Sequence, residues 1–199
     1  MQTEKRSFLG EVRMDSPETD EASQVKIVGY AAKFNSRSKN LGGFVEIIAP
    51  GAFDDVLEDD TRAVFNHDPN FVLGRRSSGT LKLFIDEIGL GYEITPPDTQ
   101  TVRDLVLTPM ERGDINQSSF VFRLGHRGDD WHEDEDGILV RTINKVSALI
   151  DVSPVTYPAY TDTDSAKRSL ETWQKEQTDP LEHLAAQEAE SRKRYLQTL

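Results

Sequence analysis

Short runs of hydrophobic and β-branched residues, separated by Gly, Asn, Asp and Pro, fill the chain from Val25 onward. This pattern is typical of β-strands bounded by turns. In residues 79–85 (GTLKLFI), Leu81, Leu83 and Ile85 alternate with Thr80, Lys82 and Phe84, which is the two-residue period of a strand with at least one buried face. Strands are predicted in the same way for residues 7–14, 25–34, 44–49, 62–66, 89–95, 118–124, 137–143 and 146–155.

Two segments between these runs have the spacing of helices. The segment 50–58 (PGAFDDVLE) predicts a short helix with its apolar residues on one side. The segment 98–111 predicts a longer one, capped by Asp98 or Thr99 and kinked or ended by Pro109. Its stripe for packing against the core consists of Val102, Leu105, Val106 and Met110. The chain is therefore predicted to be mainly β with helices, as an antiparallel barrel or sandwich.

Both ends of the chain are more polar than its middle. We predict an N-terminal strand and polar segment over residues 1–24, a folded domain over 25–163 and a helical tail over 164–199. Residues 180–199 begin with Pro180 and carry a thin stripe of Leu181, Leu184 and Ala185. That stripe is too narrow for a core helix, and it leaves three alternatives: a surface helix, an oligomer contact or a removable tail.

Composition narrows the possible classes of protein. The chain has 199 residues, a hydrophobic share of 36%, no cysteine and a formal net charge of −12. The absence of cysteine excludes disulfides and thiolate metal sites, and the acidity argues against a nucleic-acid groove, which needs a basic face. No apolar run approaches the ~18 residues of a membrane span, and the first residues lack the apolar core of a signal peptide. We expect a soluble cytoplasmic protein without nucleic-acid or membrane partners.

Three positions offer side chains for catalysis. His67 lies where an apolar strand meets the turn signal Asp68-Pro69, and histidine is the usual general base near neutral pH. Ser118 and Ser119 begin a strand, and because neighbours on a strand point to opposite faces, only one of them can share a cleft with the base. Periodicity leaves open which serine that is, and each of these residues also fits an ordinary loop or strand role.

Asp151 stands in the otherwise apolar segment ALIDVSPV. A carboxylate there is costly to bury unless it is paired. It can orient a histidine, or it can pair structurally with Arg141 or Lys145; the sequence supports both equally.

The segment 126–137 is crowded with His, Asp and Glu and invites a metal-site interpretation. Aligning Gly137 with the invariant glycine of a calcium loop puts His132 at the first position and Ile143 at the twelfth, where a bidentate Glu belongs. The pattern fails, so a solvated acidic loop is favoured, and no metal or other cofactor is expected.

The order of several segments resembles the prohead protease family of tailed bacteriophages. The resemblance spans residues 25–163 and is carried by these motifs: GYAAKFN, EIIAPGAFDDVL, FNHDPNFVLGRRSSGTLKL, GLGYEI, the segment ending in GDINQSSFVFR, and DVSPVTYPAY. That family is similar in fold and chemistry to the herpesvirus maturation proteases, so the resemblance implies an antiparallel β-barrel of that type.

The resemblance also implies roles for residues. His67 matches the general base, and Ser119, which directly precedes Phe120, matches the nucleophile. Asp151 takes the third position, although the family often has Glu there, and Val121 departs from a small residue between the two Phe positions. Arg123, or backbone N–H groups after Gly125, are candidate oxyanion donors.

The implied function is a serine endopeptidase that processes capsid or scaffold protein, and itself, inside the assembling procapsid in the host cytoplasm. A homodimer is expected by analogy. The alternative is a non-catalytic assembly scaffold of the same fold; a metal hydrolase built on residues 126–136 is the least favoured option.

Overall fold

The computed structural model describes residues 3–8, 12–15, 24–157 and 163–178. The strands in this part of the chain are β1 Thr3–Phe8, β2 Arg13–Asp15, β3 Lys26–Lys33, β4 Phe44–Ile48, β5 Arg62–Val64, β6 Val72–Arg75, β7 Leu81–Ile85, β8 Gly89–Ile94, β9 Gln117–Leu124, β10 Asp129–Glu133, β11 Leu139–Ile143 and β12 Val146–Val155. The helical elements are a 3-10 turn Asp54–Val56, α1 Gln100–Val102, a π-helical segment Arg103–Leu107, α2 Thr108–Glu111 and α3 Thr163–Thr178.

The described strands form three sheets. Their orders are β1-β9-β12-β5-β6, β2-β3-β8-β7 and β10-β11-β4. Most neighbours are antiparallel, but β12 with β5 and β11 with β4 are parallel. The mainly β prediction with added helices is confirmed, whereas no closed barrel is found among these strands.

One large hydrophobic cluster packs the two larger sheets together. The core face of β9 supplies Phe120 and Phe122, whose rings are stacked with centroids 5.2 Å apart, and Phe53 meets Phe120 edge-on at 5.7 Å. Leu81 is buried while Lys82 is exposed, as the alternation in this strand predicts. A smaller cluster around Phe44 lies under α3.

The helical region 98–111 differs from the prediction in two respects. Thr99 is the N-cap, accepting a hydrogen bond from the Val102 N–H, but the helix continues past Pro109 to Glu111. The distortion lies before the proline, where the π-helical segment widens the turn. This widening changes the phase of the apolar stripe, so Leu105 is 52% exposed while Val102, Val106 and Met110 are buried.

Two other segments differ from their predicted secondary structure: one has less of it than expected and the other has more. The predicted helix at 50–58 is only the 3-10 turn Asp54–Val56 between turns. The predicted acidic loop 126–137 contains strand β10, which pairs with β11. The sequence of β10, DDWHE, has no clear alternation of polar and apolar residues. Its one apolar side chain, Trp131, packs against Phe44 with ring centroids 4.8 Å apart.

A buried ion cluster fastens β1 to the rest of the fold. Arg141 is 1% exposed and reaches Glu4 at 2.7 Å, Glu46 at 3.0 Å and Asp129 at 2.7 Å. Arg6 adds contacts of 2.6 Å to Glu4 and 2.7 Å to Glu46. Burying so many charges is tolerated only because they are paired and hydrogen-bonded with one another.

The division into residues 1–24, 25–163 and 164–199 stays a prediction. The described part of the tail is α3, which stacks Trp173 on Trp131 with ring centroids 5.4 Å apart. The thin apolar stripe at 180–199 lies outside the described residues.

Candidate active site

The two neighbouring serines of β9 face opposite sides of the sheet. Ser118 lies with Phe120 and Phe122 on the core side, where its Oγ is 3.0 Å from the Tyr92 hydroxyl. Burial raises the pKa of Tyr92 well above its usual value, although the hydrogen bond with Ser118 lowers it in part. Tyr92 therefore stays protonated and able to donate. Ser119 lies on the other side.

Strand β12 brings two more polar side chains to the face that carries Ser119. In the antiparallel register, Ser153 is opposite Ser119 and Asp151 is opposite Val121. Residues two apart on a strand share a face, so Asp151 and Ser153 both lie beside Ser119.

His67 comes to this face from the loop after β5, the strand next to β12. Asn66 and His67 both have positive φ, at 54° and 58°, a conformation that is uncommon for residues other than glycine and is often found at functional sites. Asn66 ties the loop to the end of β12: its N–H donates to the Pro154 carbonyl at 3.0 Å, and its Oδ1 accepts from the Thr156 N–H at 2.8 Å. These two hydrogen bonds fix the conformation of the loop that orients the His67 imidazole toward β9 and β12.

The three predicted catalytic side chains are in direct contact. His67 Nε2 lies 2.6 Å from Ser119 Oγ, and His67 Nδ1 lies 2.6 Å from Asp151 Oδ1. The imidazole and the carboxylate are 9% and 14% exposed, and Ser119 is fully buried. This order of groups is that of a serine nucleophile, a base and an orienting acid.

Sequence reasoning missed two further groups at this site. Ser153 Oγ lies 2.9 Å from Asp151 Oδ1 and 3.0 Å from His67 Nδ1. The Arg6 carbonyl lies 2.8 Å from Ser119 Oγ, because β1 pairs with β9 at this point. The Ser119 hydroxyl has one proton and can donate it fully to only one acceptor at a time. The two-residue spacing of Asp151 and Ser153 in the sequence was a signal that could have identified Ser153. The Arg6 carbonyl could not have been identified, because the long-range pairing of β1 with β9 leaves no signal in the sequence.

The structural partners proposed for Asp151 are engaged elsewhere. Arg141 belongs to the buried ion cluster, and Lys145 pairs with Asp55 at 2.7 Å. Arg123 is exposed, and its Nε donates to Thr3 Oγ1 at 3.4 Å. The Gly125 N–H donates to the Lys145 carbonyl at 2.8 Å. The oxyanion assignment therefore stays a prediction.

Within residues 3–8, 12–15, 24–157 and 163–178, no group of three or more His, Asp or Glu side chains is arranged to hold a metal ion. In segment 126–137, Asp129 bonds Arg141, and Asp134 caps the turn before Ile138. None of the described helices is long and apolar enough to cross a membrane.

The chain was compared with known protein families. The family model described as caudovirus prohead serine protease matches residues 11–176. The chain belongs to this family. As a prohead protease it is a serine hydrolase of phage capsid maturation, which is the class that the sequence resemblance predicted. Comparisons with curated proteins and with solved structures found no significant match.

Proposed function

We propose that this prohead protease cleaves peptide bonds with Ser119 as nucleophile, His67 as general base and Asp151 as the orienting carboxylate. The observation that carries the proposal is the pair of 2.6 Å contacts that His67 makes, one to each of the other two residues. Both lie within hydrogen-bond reach, as proton transfer requires. The chemistry would be that of the herpesvirus maturation proteases, where a serine acts with a histidine.

The reaction proceeds by acyl transfer. His67 Nε2 takes the Ser119 proton while Oγ attacks the carbonyl carbon of the scissile bond. The C–N bond then breaks, and His67 returns the proton to the leaving amine. In the second half, the same ring deprotonates a water molecule that attacks the acyl carbon; the bond to Oγ breaks, and His67 returns this proton to Ser119. Asp151 stabilises the positive imidazolium that forms in each half of the reaction.

Access to Ser119 limits this reaction, because its side chain is fully buried. A peptide therefore reaches Oγ only after the chain around the site moves. Donation to Nε2 also competes with donation to the Arg6 carbonyl, which lies next to Oγ on the neighbouring strand. We expect the isolated protein to react slowly for these two reasons.

The substrates are proposed to be the capsid or scaffold protein inside the assembling procapsid, with self-cleavage in the segment 164–199. A homodimer is part of the same proposal. The non-catalytic scaffold is the less favoured function, because such a role does not require Ser119, His67 and Asp151 to be joined by hydrogen bonds on one face of the sheet.

Labelling with a fluorophosphonate probe tests the assignment. We expect labelling of the wild type, its loss in Ser119→Ala and in His67→Ala, and its retention in Ser118→Ala, the neighbouring buried serine. When the capsid protein is co-expressed, the wild type and Ser118→Ala should cleave it, and Ser119→Ala and His67→Ala should not. Chelators should leave this cleavage unchanged. Labelling or processing that persists in Ser119→Ala would show that another residue is the nucleophile.

A further inference from the structure

We propose that Ser153 is a positioning residue that holds the Asp151–His67 pair in the protonation state needed by Ser119. The inference rests on the proposed function. Ser153 is fully buried, and its Oγ contacts both of the other groups, Asp151 Oδ1 at 2.9 Å and His67 Nδ1 at 3.0 Å. A side chain that touches both members of the pair is placed to act on each of them.

The three contacts fix where the protons lie. An ionised carboxylate only accepts hydrogen bonds, and a hydroxyl has one proton to give. If Nδ1 had no hydrogen, its lone pair would face the Asp151 oxygen at 2.6 Å, which is repulsive. With hydrogen on Nδ1, the ring donates to Asp151 and to the Ser153 oxygen, while Ser153 donates its own proton to Asp151. All three contacts are then favourable together.

The hydrogen on Nδ1 determines the protonation of Nε2, on the other side of the ring. A neutral imidazole with hydrogen on Nδ1 has its lone pair on Nε2. Nε2 is the atom that lies 2.6 Å from Ser119 Oγ, so the ring is ready to accept the Ser119 proton. Ser153 thus acts on Ser119 through His67, without touching the reacting atoms.

The sheet register gives Ser153 a fixed position relative to the nucleophile. Ser153 and Ser119 are directly paired residues on β12 and β9. The same backbone ladder therefore sets the place of the nucleophile and of the hydroxyl that orients the Asp151 carboxylate. Asp151 alone can rotate about its terminal bond; a second donor on Oδ1 restricts that rotation.

Ser118 provides a matched control for a merely structural effect. It is also a fully buried serine of the same sheet, and its Oγ likewise has two partners: the Tyr92 hydroxyl at 3.0 Å and the Ser153 carbonyl at 3.5 Å. It lies on the opposite face from His67. Loss of its hydroxyl should cost the fold a similar amount without affecting the imidazole.

The experiment measures ring protonation and reactivity in Ser153→Ala, Ser118→Ala and the wild type. The ¹⁵N chemical shifts of His67, assigned with His67→Ala, report which nitrogen carries hydrogen in the neutral ring. We expect the wild type and Ser118→Ala to have Nδ1–H, and Ser153→Ala to have a measurable fraction of Nε2–H. The maximal rate of fluorophosphonate inactivation should fall about tenfold to a hundredfold in Ser153→Ala, the range of a hydrogen bond to a charged group, with the half-saturating probe concentration unchanged.

Ser153→Cys carries the test if Ser153→Ala does not fold, because a thiol retains a weak donor and should give an intermediate rate and tautomer population. The proposal is overturned if Ser153→Ala keeps the wild-type tautomer and rate, or if Ser118→Ala shows the same losses. Absence of Ser119-dependent labelling in the wild type would instead overturn the proposed function, while the tautomer measurement would still decide the role of Ser153.

Discussion

Replacing Arg141 with Met should remove a large part of the stability of this fold. Arg141 is almost completely buried and bonds Glu4, Glu46 and Asp129. The cluster contains two guanidinium groups for three carboxylates, so the variant leaves Arg6 as the one guanidinium bonding Glu4 and Glu46, and Asp129 loses its contact with Arg141. Removing one partner of a buried ion pair typically costs about 3–5 kcal/mol, since the buried carboxylates lose a charged partner and do not regain water in its place.

Urea unfolding followed by circular dichroism measures this loss. Against a typical total of about 5–15 kcal/mol, a decrease of about 3–5 kcal/mol in the free energy of unfolding is expected. Arg75→Met is the control, because the Arg75–Asp60 pair is 47% and 39% exposed and such surface pairs contribute about 0–1 kcal/mol. In the double variant with Glu4→Gln, the loss should be smaller than the sum of the two single losses.

The reasoning about the buried cluster would be refuted by an Arg141→Met variant that unfolds within about 1 kcal/mol of Arg75→Met. It would also be refuted by strict additivity with Glu4→Gln, because additivity would mean that the two groups do not interact in the folded protein.

Two further predictions concern the same part of the fold. Burial alone would raise the pKa of Glu4, but its hydrogen bond to Arg141 and the charges of Arg141 and Arg6 outweigh burial and lower it from the usual 4.5. The stabilisation by Glu4 is therefore complete above pH ~4.5 and is lost as the pH falls through the lowered pKa. The free energy of unfolding should consequently decrease less with falling pH in Glu4→Gln than in the wild type. The same pH dependence in both proteins would contradict this prediction. Trp173→Ala should abolish the coupled indole signal in near-ultraviolet circular dichroism and destabilise the fold by about 0.5–1.5 kcal/mol or more, because Trp173 stacks on Trp131, the other tryptophan of the chain; Glu171→Ala, at an exposed position of α3, should leave the signal unchanged.

Local periodicity predicted most of the strands because each has its own hydrophobic signal. β7 shows this most clearly, since the alternation of Leu81, Leu83 and Ile85 alone fixes the buried face. The prediction was wrong where one element altered its own geometry. The π-helical segment moved Leu105 to the surface, and sequence spacing that assumes 3.6 residues per turn cannot show this.

Long-range contacts were the second limit on what the sequence could predict. Strand β10 has little hydrophobic signal of its own and is formed through its pairing with β11. At the candidate site, period two on β12 placed Asp151 and Ser153 on one face, so Ser153 was within reach of the same reasoning. Periodicity alone left open whether Ser118 or Ser119 shares a face with His67, because the position of His67 depends on the turn at Asn66 and on pairing between segments far apart in the chain.

The attachment of β1 has a consequence for the order of events during synthesis. Glu4 and Arg6 are made well before Arg141, which bonds Glu4 and lies 137 residues later in the chain than Glu4. At about 5–20 residues per second, the N-terminal strand waits on the order of ten seconds for its partners, and the strand that carries Asp151 and Ser153 is made later still. The candidate site consequently assembles on the nascent chain only after Ser153 has been made, 86 residues after His67.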